Sequence, residues 1–130
     1  MSTKTSIRTP LNRVRGLGSA HHGTSDFFRQ RLTGLAMLLL FIPALIVIMM
    51  LLGRNHAAAM QILGSPLVAI IMTLFIIASV WHMKIGMQVV IEDYIHDEKL
   101  KLIAIIGNIF FSAAVGLASI YAIIKLSSGV

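Results

Sequence analysis

Two long runs of this chain, Leu32 to Leu52 and Leu102 to Ile124, contain no charged residue. A hydrocarbon core ~30 Å thick is crossed by about 20 helical residues, and both runs are that long. A third run, Pro66 to Ile91, is apolar except for His82, Lys84 and Gln88. Lipid offers the backbone no hydrogen-bond partners, so a single-chain segment of this kind must satisfy its own amides as a helix. The expected fold is therefore all-α, a bundle of three transmembrane helices with spans at about 32–52, 66–91 and 102–124. Residues 1–25 form an arm, and residues 26–130 form the anchor domain. Charged residues make up 12% of the chain, about half the share of a soluble domain. Three spans joined by short loops leave no room for a separate soluble domain.

The charges define a topology. Lys4, Arg8, Arg13, Arg15, Arg29 and Arg31 precede the first span, and Lys99 and Lys101 lie in the second loop. Arg54 in the first loop and Lys125 in the tail stand on the other side. The positive-inside rule places the N-terminus in the cytoplasm and the C-terminus opposite. The net charge of +6 is thus spent on orientation; binding nucleic acid would call for a folded basic face, which this chain does not offer. The arm is basic, rich in Ser and Thr, and free of acids until Asp26, as a transit peptide would be. Pro10, Gly16, Gly18 and Gly23 interrupt any amphipathic helix there, and the arm reads as irregular and retained in the cytoplasm. The setting is the cytoplasmic membrane of a bacterium in preference to the mitochondrial inner membrane.

The chain has no cysteine. It can supply neither a disulfide nor a thiolate-held iron–sulfur cluster, so any such redox centre must reside on another subunit.

Local signals divide the spans. Thr24 or Ser25 is suited to cap a helix starting near Asp26, and Pro43 should kink the first span. Gly53 to Ser65 reads as the outer loop, with Pro66 in a favoured first helical position. Glu92 to Lys101 reads as the inner loop. The third span is rich in small residues, among them Gly107, Ser112, Ala113, Ala114, Gly116, Ala118 and Ser119, which let helices approach closely in lipid.

His82 is the central chemical candidate. An ionisable side chain at membrane depth is costly and points to function. Imidazole is a common axial ligand of haem iron. Ala78, Ser79 and Gly86 lie one turn away on its face, giving the low relief that a porphyrin beside its ligand helix requires. The other reading is a structural histidine hydrogen-bonded to a neighbouring helix. One histidine cannot complete a bis-histidine site, so a haem here would be shared with another chain. Arg31 opens the first span and Tyr94 closes the second, at the same interface of antiparallel helices. A phenol and a guanidinium can donate to quinone carbonyls and stabilise the charge that develops on reduction, with Asp93 relaying protons. An ordinary headgroup belt of snorkelling arginine and interfacial tyrosine explains the same residues. His21, His22, His56 and His96 lie outside the spans, and Lys84, on the far side of the helix from His82, has no assigned role.

Two blocks, in this order, carry a family resemblance. One is Asp26-Phe27-Phe28-Arg29-Gln30-Arg31-Leu32-Thr33; the other is His82, Gly86-Met87 and Asp93-Tyr94. The chain resembles the hydrophobic membrane anchor subunits of succinate dehydrogenase, the cytochrome b-type D subunits of respiratory complex II. The resemblance implies that His82 gives one axial ligand to a haem b shared with the C-type subunit. It also implies that Tyr94 bonds ubiquinone, that Asp93 lies near its proton path, and that Arg31 lies near the haem propionates and quinone. The implied partners are the C-type cytochrome b subunit, the iron–sulfur subunit, the flavoprotein subunit and the bilayer. The anchor itself holds no complete active site. Two other readings are the C-type subunit of the same complex, against which the Asp-Tyr pair after Gly-Met argues, and a small transporter or channel subunit with His82 lining a polar path.

Overall fold

The computed structural model describes residues 9–15 and 22–128. Among them are five helices: α1 (Pro10–Val14), α2 (His22–Leu51), α3 (His56–Gly64), α4 (Pro66–Tyr94) and α5 (Glu98–Ser128). Segments Gly23–Leu51, Pro66–Tyr94 and Glu98–Ser128 are long and apolar enough to cross a membrane. Each extends beyond its expected span at one end or both, because helical hydrogen bonding continues through polar ends that lipid headgroups and water can solvate.

Helix ends follow from local chemistry. Gly53 takes a left-handed conformation, φ 70°, which ends α2 just past its last turn. The Asn55 side chain accepts from the Ala58 amide at 2.9 Å and starts α3. Pro66 occupies the first turn of α4. Asp97 Oδ1 accepts from the Leu100 amide at 2.8 Å and starts α5.

Several local expectations are corrected. The arm is not wholly irregular: Pro10 opens the short α1, its missing N–H being harmless in a first turn. Helix α2 begins at His22, so Thr24 and Ser25 lie inside it and do not cap it. The stretch expected as the outer loop contains α3, whose Ala-rich sequence His56-Ala57-Ala58-Ala59-Met60 favours helix over coil.

Helix α4 is the centre of the bundle. It packs on α2 along one side and α5 along the other, while the backbones of α2 and α5 stay apart. Small α3 packs on α2, α4 and α5 near one end; a Cβ on Gly64 would stand 3.0 Å from the Leu126 carbonyl oxygen, so glycine permits that close approach. Ala44 and Val47 of α2, Ala78, Ile85 and Ile91 of α4 and Ile123 of α5 form the apolar seam. Thr33, Asn108 and Ser112 are buried among them. Most large apolar side chains face outward, as expected where lipid or another membrane subunit replaces water.

Candidate functional site

His82 projects from α4 into the seam with α2, half-buried. Both ring nitrogens meet polar atoms of α2. Nδ1 lies 3.2 Å from the Thr33 hydroxyl, and Nε2 lies 3.4 Å from the Gln30 side-chain nitrogen. Gly34 lies directly against the ring: a Cβ there would stand 3.4 Å from His82 Cε1, at van der Waals contact. Gly86 makes an opening. A Cβ on it would stand 3.1 Å from the Gln30 amide nitrogen, so the space one turn beyond the imidazole is filled by Gln30.

Two buried polar atoms of these helices, Gln30 Oε1 and Ser79 Oγ, have no hydrogen-bond partner among the described residues. An unpaired buried carbonyl oxygen carries a desolvation penalty of about 1–3 kcal/mol. The Gln30 amide is therefore only partly anchored, and its one side-chain contact to His82 is long for a hydrogen bond.

A groove of about 380 Å³ runs from this point between α2 and α4, lined by Asp26, Phe27, Gln30, Arg31, Gln88 and Glu92, with others. Arg31 is exposed beside it, its guanidinium 4.2 Å from the centre of the Phe27 ring. Arg29 forms a loose pair with Asp26 at 3.7 Å, and Gln88 donates to Glu92 at 2.9 Å. A second groove of about 600 Å³ lies mainly between α4 and α5; Trp81, Lys84, Ser112 and Gly116 are on its wall together with Arg29 of α2, and His82 is not. Lys84 faces that groove.

The structure thus brings Arg31 into the groove that reaches Gln30 and so His82, but it leaves Tyr94 and Asp93 apart from it. Both are exposed at the end of α4. Tyr94 is 78% exposed and makes no hydrogen bond among the described residues. His56 and His96 are exposed, His22 opens α2, and His21 lies outside the described residues. Among the described residues, no three His, Asp or Glu side chains gather as a multidentate metal site.

Gln30 and Thr33 were not singled out by the sequence reading. Their signal is faint: two polar residues spaced i, i+3, and so on one helical face, where the first span enters lipid. Only the packing of α2 on α4 shows that this face meets His82. Asn108 was also missed; it donates to the Lys84 carbonyl at 2.8 Å across the α4–α5 seam.

The succinate dehydrogenase/fumarate reductase transmembrane subunit family matches residues 5–116. The succinate dehydrogenase hydrophobic membrane anchor subunit of Paracoccus denitrificans is 31% identical over 121 residues, covering 93% of each chain. The corresponding subunit of Rickettsia bellii is 32% identical over 119 residues, covering 90% of this chain and 94% of the relative. A succinate dehydrogenase membrane anchor subunit of Reclinomonas americana is 32% identical over 97 residues, or 68% and 72% of the two chains. No solved structure matches significantly. With three apolar helices, no cysteine and these relatives, the chain belongs to the succinate dehydrogenase/fumarate reductase transmembrane subunit family, as a hydrophobic membrane anchor.

Proposed function

We propose that this anchor supplies His82 as one axial ligand of a haem b shared with a C-type membrane subunit, and that it forms part of the ubiquinone-reduction site. The observation that carries the reading is the imidazole itself, held in the α2–α4 seam with Nε2 3.4 Å from a Gln30 amide that lies over Gly86 and whose oxygen has no partner among the described residues. The structure also contains the hydrogen bonds of the purely structural reading, to Thr33 and Gln30. Ligation is compatible with both: the Nδ1 contact is of the kind that orients a ligating histidine, and only the long Nε2 contact would have to open.

Haem b, when bound, supplies a one-electron redox centre. The chain's own residues do the rest. His82 would offer a nitrogen lone pair to the haem iron, with the partner subunit supplying the other protein ligand. Arg31, exposed beside the groove that reaches Gln30, offers a cation to propionate or quinone oxygens. Tyr94 holds a hydroxyl donor at the end of α4 for a quinone carbonyl, and Asp93 beside it holds or passes a proton. The exposure of Tyr94 fits a site whose other wall is a partner subunit. Iron–sulfur and flavoprotein subunits complete the electron path, which this cysteine-free chain cannot do alone.

The positive-inside balance supports a cytoplasmic N-terminus, with Arg31 and Tyr94 on the side of the soluble subunits. The Paracoccus and Rickettsia relatives favour a bacterial cytoplasmic membrane, and the Reclinomonas relative keeps a mitochondrial inner membrane as the second setting. A reduced-minus-oxidised spectrum of membranes carrying the complex tests the central assignment. His82→Leu should lose or shift the b-type α-band while the subunits still assemble. An unchanged band with this variant would remove His82 from the haem site. A reporter fused after Val130 should read as non-cytoplasmic; the opposite result would separate Tyr94 from the soluble subunits.

A further inference from the structure

We propose that Thr33 is the positioning residue for His82, fixing the imidazole with its proton on Nδ1 so that Nε2 carries the lone pair. This rests on the reading of His82 as the haem ligand and deepens it. The argument is a count of hydrogens. The Thr33 hydroxyl has one proton, and backbone carbonyls on its own helix take it: Arg29 O at 2.8 Å, with Gln30 O at 3.1 Å. Its oxygen is then left only as an acceptor toward His82 Nδ1, 3.2 Å away. An acceptor facing Nδ1 requires Nδ1 to be the protonated nitrogen.

The other ring nitrogen agrees. The Gln30 amide lies 3.4 Å from Nε2, and with its N–H2 turned toward the ring it meets a lone pair there. Two residues of one face of α2 thus select the same tautomer from opposite edges of the ring. Thr33 is 9% exposed, so water competes little for its oxygen. In this tautomer Nε2 is the nitrogen available to iron. A hydrogen bond from the remote N–H of a ligating histidine fixes its ring and makes it a stronger donor. The Gln30 contact is the weaker of the two and is the one that gives way, whereas the Thr33 bond persists.

The test uses the assembled complex with Thr33→Val, which removes the hydroxyl at nearly constant shape, and Thr33→Ser, which keeps it. Thr33→Ala is the second hydroxyl-free variant should valine prevent assembly. Losing the bond leaves a less basic imidazole, so ferric haem is less favoured. The haem midpoint potential should rise, the low-spin ferric electron paramagnetic resonance signal should shift, and haem retention should fall about tenfold. Serine should restore all three. A wild-type potential and spectrum in a hydroxyl-free variant, or serine behaving like valine, overturns the proposal. His82→Leu in the same complex separates the two layers. If it loses the haem while Thr33→Val changes nothing, the ligand reading stands and Thr33 does not position it; if it keeps the haem unaltered, the ligand reading itself is wrong.

Discussion

The Asn108 side-chain amide donates to the Lys84 main-chain carbonyl at 2.8 Å, joining α5 to α4 by a polar bond inside an apolar seam. Ser112, one turn on, donates to Asn108 Oδ1 at 3.4 Å, so both ends of the amide are engaged. The bond ties the third span to the segment of α4 that carries His82.

Asn108→Ala should therefore loosen α5 without touching the His82 side of α4 directly. Interhelical hydrogen bonds in lipid are worth about 0.6 kcal/mol on average and up to ~2 kcal/mol. The loss should fall in that range, with part of it arising because Ser112 loses its acceptor. Unfolding of the purified complex in graded denaturing detergent measures it. Wild-type resistance in the variant would show that the bond adds no net stability.

Two glycines should respond in opposite ways. Alanine at Gly64 would place a methyl 3.0 Å from the Leu126 carbonyl oxygen, a backbone atom that moves only if α3 and α5 separate. Alanine at Gly107 would meet nothing within 4 Å, and it would gain the helix preference of alanine, about 1 kcal/mol in water. We expect Gly64→Ala to lower the unfolding temperature of the complex and Gly107→Ala to keep or raise it. The reverse order would refute the packing of α3 on the end of α5.

Tyr94→Phe keeps the ring and removes one donor. A donor that acts mainly as charge develops on a carbonyl contributes a few kcal/mol. Succinate-to-quinone electron transfer should fall at least about tenfold, while reduction of an artificial dye upstream stays near normal. Haem content should persist, since His82 is about 18 Å away along the helix. Full quinone activity in this variant would leave Tyr94 as a residue of the headgroup belt.

The sequence by itself determined the parts of this protein that depend on solvent. Charge-free runs as long as a bilayer is thick can satisfy their amides only as helices, so three membrane-spanning helices could be read without coordinates. Absent cysteine ruled out a disulfide or a thiolate-held cluster within the chain. His82 stood out because an ionisable group is conspicuous in an apolar helix, and the same logic exposed Arg31, Asp93 and Tyr94 at span ends.

What the sequence could not determine was which faces meet. An apolar helix surrounded by lipid has no strong amphipathic stripe to name its buried side, so the central place of α4, and the separation of the α2 and α5 backbones, came only from packing. For the same reason Gln30 and Thr33 looked like ordinary polar residues at a span entrance. They became partners of His82 because two helices distant in sequence come together around one imidazole, with Gly34 against the ring and Gly86 leaving room for Gln30.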